Sequence, residues 1–231
     1  MKKVAILQSN YIPWRGYFDL INYVDEFIIY DDVQYTKRDW RNRNLIKTKN
    51  GLIWLTIPVE VKGNYHQKIK DTKIVDNFWQ KKHLDSIKLN YSKAKNFDLI
   101  YSLLEPLYRK KSFMFLSECN LIFLNKINKF LNIKTIISKS SDFIIEGDKN
   151  KRLVSLVKKV NGDIYVSGPK AKNYIDEKLF EKNKLEIEWY DYSHLKEYDQ
   201  LWGKFENFVS IIDLLMNKGI SSKEYINFKK K

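Results

Sequence analysis

The chain has 231 residues, 42 Lys plus Arg against 28 Asp plus Glu, a formal net charge of +14 and one cysteine. That length can bury a large core, its 44% apolar content is that of a globular rather than a disordered chain, and a lone cysteine excludes an internal disulfide. The start MKKVAILQSN is too short in apolar residues for a signal-peptide core, and no later run suits a spanning helix; the expectation is a cytoplasmic protein without membrane insertion.

The opening KKVAILQ is a nearly continuous apolar run, as a buried parallel strand shows. RGYFDLINYV carries apolar residues at helical spacing, and EFIIYDDV is a second strand. Strand, helix and strand in about thirty residues read as a right-handed βαβ unit. GLIWLTIPV is a third strand closed by Pro58, and VKGNYHQKI is a polar loop or hairpin. NFWQKKHLDSIKLNY, FDLIYSLLEPLYR and SFMFLSECNLIFLNKINKFLNI predict a helical middle segment over 77–131. KTIISKS is a strand, GDKNKRLVSLVKKV a helix, DIYVSG and LEIEWYDY two strands, and NFVSIIDLLMNKG a helix stopped by Gly219. The tail, 226–231, is expected to fray. No repeat or linker interrupts this order, which predicts one α/β domain over 1–231 with a mostly parallel, Rossmann-like sheet.

Most of the positive charge is lysine scattered along the chain, which mainly confers solubility. Arginine reports anion sites better, because its planar fork binds phosphate or carboxylate bidentately. Arg38, Arg41 and Arg43 lie within six positions. On a helical turn Arg38 and Arg41 share a side, as do Trp40 and Arg43. With Trp40 to stack and Asn42 beside it, this stretch reads as a clamp for a diphosphate carrying a nucleoside. Gln8 and Asn10 follow the first strand, where open parallel sheets bind ligands, and their amides suit a sugar or a base. Asp31 and Asp32 end the second strand; both suit anchoring a hydroxyl or an amine, and Asp32 is the second candidate for a general base. His83, four after Trp79, is the first.

Ser167 and Gly168 follow a later strand, with Pro169 suited to a first helical position; their N–H groups are candidate oxyanion donors. Ser167 lacks the Gly-x-Ser-x-Gly elbow of a nucleophile. Arg152 opens another helix and can reach the same anion. His66 and His194 lie in polar loops and take no role. The three histidines show no metal spacing, so no metal and no cofactor is expected.

The pieces VAILQSNYIPWRGYFDLI, YDDVQYTKRDWRNRN, WLTIPV, WQKKHLDSIKLNY, YVSGPKAKNYID and LWGKFENFVSIIDLLMNKG come in order over nearly the whole chain. In them the sequence resembles the WbqC-like protein family, associated with O-antigen and related surface polysaccharides. The resemblance implies glycine or another acyl transfer to a nucleotide-linked amino sugar. The partners implied are that sugar nucleotide and an activated acyl or aminoacyl donor, with nucleic acid only if the donor is a tRNA. A non-catalytic sugar-nucleotide-binding or assembly protein, and an RNA-binding protein, are the alternatives. WRGY is also similar in register to the His-x-Gly-His loop of nucleotidyltransferase-like domains, Gly16 aligning and both histidines absent. That likeness implies nucleotide binding by Trp14, Arg15 and Tyr17.

Overall fold

The computed structural model describes residues 1–109 and 112–226. Strands β1 (Lys3–Leu7), β2 (Glu26–Ile29), β5 (Ile136–Lys139), β6 (Ile164–Ser167) and β7 (Glu186–Trp189) form one parallel sheet in the order β5-β2-β1-β6-β7. Successive residues of a strand face opposite sides, and both sides are buried. Ala5, Phe27, Ile29 and Val166 pack under α1 (Arg15–Tyr23), α4 (Leu116–Phe130) and α7 (Ile211–Lys218). Val4, Ile6, Ile28 and Tyr165 pack under α5 (Lys149–Lys159) and α6 (Glu177–Lys182). That division follows from right-handed crossovers: connections running toward β5 cover one face, and those returning toward β7 cover the other. All five strands run the same way, but the order in which they are added reverses between β1 and β6, the kind of switch point beyond whose carboxyl ends parallel α/β sheets bind ligands.

The long connection from β2 to β5 holds α2 (Phe78–Tyr91), α3 (Phe97–Arg109) and α4, within the span expected to be helical. The strand expected in GLIWLTIPV is present but lies outside the parallel sheet. β4 (Gly51–Thr56) pairs antiparallel with β3 (Arg43–Thr48) in a separate two-stranded ribbon. Arg43 therefore lies in a strand and not on a helical turn with Trp40. Val33 ends no strand either, because β2 stops at Ile29 and leaves Asp31 and Asp32 in the loop beyond. α7 is capped by Ser210, whose hydroxyl accepts the Ile212 N–H, and ends at Gly219 with φ 54°, a conformation that favours glycine. Of the tail expected to fray, residues 227–231 lie outside the described residues. No helix among the described residues is long and apolar enough to cross a membrane.

Candidate functional site at the carboxyl edge of the sheet

The loops after β1, β2 and β6 leave the same edge of the sheet. The loop after β1 is the hub. Its Tyr11 N–H donates to the Trp40 carbonyl at 3.1 Å, drawing in the arginine loop. Its Trp14 ring lies 5.2 Å from that of Tyr192, whose hydroxyl lies 3.9 Å from where a Cβ on Gly168 would stand. Ile12, β-branched, holds φ 36°, a strained value. Its carbonyl accepts from Asn44 at 3.0 Å and Ser210 at 2.8 Å, which hold it there.

Beside this hub is a cleft of about 280 Å³ at the ends of β2 and β5, lined by Asp31, Asp32, Lys70, Ser117 and Lys139 among others. Asp31 is its buried wall. One oxygen accepts the Ser9 N–H at 2.8 Å, and the other accepts the Ser117 hydroxyl from the first turn of α4. Burial pushes the Asp31 carboxyl above its ordinary value despite these donors and the nearby Arg41 guanidinium. Arg38 does not stand beside it. Asp32 is an ion-paired anchor, accepting the Ser140 hydroxyl at 2.8 Å with the Lys70 ammonium at 3.3 Å and that of Lys68 at 3.7 Å.

The three arginines part company. Arg41 turns inward, donating to the Asn10 amide oxygen and lying 3.5 Å from Asp39. Arg43 turns outward, its guanidinium 4.0 Å over the Trp54 ring, and donates to the Arg38 carbonyl. Arg38 is exposed, with φ 56°. They do not form one clamp, because the alternation of β3 and the turn at Arg38 aim their side chains apart. Asn42 is buried and donates to the Ile57 carbonyl at 2.9 Å, tying the loop down.

Several expected binding residues are packed into the fold. Arg15 is buried and donates to the carbonyls of Lys196 and Leu195 and to Asn207, with Tyr198 and Phe205 rings on its faces. Trp14 lies over Gly16, where a Cβ would meet its ring at 2.3 Å, so the indole fills the space above the start of α1. Tyr17 is buried, donating to the Gln8 carbonyl at 2.9 Å. The Gln8 backbone is thereby held, while its half-buried side-chain amide makes no hydrogen bond within the described residues. Ser167 is buried with its side chain on Tyr165. Arg152 lies under the opposite face of the sheet, donating to the Gly147 carbonyl at 2.8 Å and bonded to Tyr30.

His83 corrects the expectation of a general base. It is buried, with Nε2 3.2 Å from the Thr56 carbonyl and Nδ1 2.9 Å from the Tyr11 hydroxyl. A carbonyl only accepts, so Nε2 carries the proton. Nδ1 then accepts from Tyr11, whose oxygen takes the Tyr108 hydroxyl at 2.6 Å. Burial lowers the imidazole to about 4. Both nitrogens are committed within an aromatic cluster, which gives His83 a packing role.

The sequence reading missed Ser9, Ser117, Asn120, Lys70 and Lys139. Asn120 donates to the Ser9 hydroxyl at 3.0 Å and the Arg41 carbonyl at 2.9 Å, joining α4 to both loops. Its signal was present: Ser117 and Asn120 stand three apart in LSECNLIFL, a polar pair on one helix side. Nothing in the sequence singled out Lys70.

The family model described as the WbqC-like protein family matches residues 8–225. The chain belongs to the WbqC-like family. It is also 50% identical, over 99% of both chains, to a protein of Mycobacterium tuberculosis (strain ATCC 25618 / H37Rv) bearing the name "Uncharacterized protein Rv1507c". No solved structure matches significantly. Membership in the WbqC-like family points to a role related to polysaccharide biosynthesis.

Proposed function

We propose that this WbqC-like protein transfers an acyl or aminoacyl group, glycyl first among them, to the amine of a nucleotide-linked amino sugar, in the cytoplasm. The observation that carries this reading is Asp31, a buried carboxylate raised by burial on the wall of a cleft of mixed polar and apolar lining beyond the strand ends. A carboxylate so displaced suits a general base better than an ordinary one does. The sugar amine attacks the donor's activated carbonyl, the bond to the leaving group breaks, and Asp31 takes the amine proton. The Lys139 ammonium in the same cleft offsets charge on the tetrahedral oxygen. Asp32, held by two lysines, anchors.

Incubation with a panel of nucleotide-linked amino sugars and activated glycine, read by mass spectrometry, tests this. A mass gain of one glycyl residue on the sugar supports it; no transfer to any acceptor overturns it. A glycyl-protein adduct on the reaction path would replace direct attack by a covalent route.

A further inference from the structure

The face of the β3–β4 ribbon that is turned away from the core carries apolar and cationic side chains with no role in the cleft. Trp54 is 42% exposed and Trp40 38%, their rings 5.3 Å apart. Arg43 lies over Trp54 at 4.0 Å and reaches the backbone of Arg38. One residue before Arg38, the Lys37 ammonium stands 5.1 Å over the ring of Tyr65, itself 68% exposed. The segments are tied together: Gln34 donates to the Tyr65 carbonyl at 2.7 Å, and the Tyr35 N–H to the Gln67 carbonyl at 2.9 Å. Asp39, the carboxylate of this loop, is turned to the Thr36 hydroxyl, the Trp40 N–H and Arg41, so it does not neutralise the outer cations.

Two exposed aromatic–cation pairs, joined through Arg38, thus alternate along one surface of a chain with net charge +14. Leaving two adjacent Trp rings exposed to solvent is unfavourable, and such a patch marks an interaction surface. One stacked base needs one aromatic; a second station with its own cation matches a second nucleotide, since aromatic faces take successive bases and cations take the phosphates between them. We propose that this strip, Lys37, Arg38, Trp40, Arg43, Trp54 and Tyr65, binds single-stranded nucleic acid with little sequence preference. The proposal stands apart from the transferase reading, because none of these side chains lines the Asp31 cleft.

Fluorescence anisotropy of the whole protein with a labelled short oligothymidylate tests it. Affinity should fall steeply with salt, and Trp54→Ala should weaken it by about 5- to 150-fold, with Trp54→Phe restoring most of the loss. Arg43→Ala should flatten the plot of log affinity against log salt by about 0.7. A Lys158→Ala, Lys159→Ala double variant on α5 should stay near wild type. Four results would each overturn the proposal. One is no binding at low salt. Another is equal weakening by the α5 variant, which would mean diffuse charge. A third is tight binding of a free nucleoside diphosphate that displaces the oligomer, which would mean a single-nucleotide pocket. The last is a Trp54→Ala protein that sediments differently while binding the oligomer unchanged, which would mean a second copy covers the strip.

Discussion

His83 and Asp31 are both titratable and both buried, and burial has displaced both in the direction that favours the neutral form: the imidazole to about 4, the carboxyl upward. They differ in what surrounds them. His83 spends both nitrogens on Thr56 and Tyr11 inside rings of Trp79 and Tyr108. Asp31 is held by Ser9 and Ser117 but borders a cleft with Lys70 and Lys139. A displaced titration marks a low-dielectric place; access to a cavity is what turns such a place into a candidate for proton transfer. Asp213 makes the same point, raised by burial yet enclosed by the hydroxyls of Tyr91 and Tyr198, each at 2.8 Å.

The sharpest test of that contrast is Asp31→Asn. It should lower turnover by roughly 10²–10⁴-fold and move the thermal midpoint by no more than about 4 °C. Turnover near wild type would remove Asp31 from the chemistry. His83→Gln should do the reverse, leaving activity per folded molecule within about two-fold while changing acid stability. The sign follows from the lowered imidazole. The folded state binds its proton less readily than the unfolded chain, so this stabilisation is complete above the ordinary value of 6.5 and is lost as pH falls toward about 4. At about 1.4 kcal/mol per pH unit the whole effect is about 3 kcal/mol, and denaturant melts of both proteins across that range would show it. Asp31 carries the opposite sign: its raised carboxyl makes stability fall as pH climbs from 3.8 through the raised value.

A smaller effect is expected at Gly16→Ala. The added methyl meets the Trp14 ring at 2.3 Å, and displacing the indole from Tyr192 and Phe208 should cost about 1–3 kcal/mol in a thermal melt. An unchanged midpoint would show that Trp14 is not held over α1. Least is expected from Arg41→Lys. A point charge still faces Asp39 and Asn10 but loses the fork, so sugar-nucleotide affinity should weaken by roughly ten-fold, measured by calorimetry. Equal weakening by Arg43→Lys would restore a shared clamp and contradict the separation of the two guanidinium groups.

Periodicity and local chemistry by themselves determined the βαβ opening, the helical middle and the late strands, because burial on both sheet faces writes continuous apolar runs and one-sided burial writes helical spacing. Gly219 as the end of α7 was legible because its φ of 54° is a local demand that glycine meets. The cluster of arginines was equally plain, but its meaning was not. Three cations in six positions read as one clamp until the pairing of β3 with β4 sent Arg43 to Trp54 and left Arg41 with Asn10. His83 looked available because a helix position says nothing about a tyrosine 72 residues away. Lys70, Ser117 and Lys139 meet Asp31 only through the order of the sheet and the seat of α4 on it. Strand order and helix seating are set by contacts between distant segments, and local patterning does not encode them; the tertiary structure alone decided which polar residues share a cavity and which are sealed in the core.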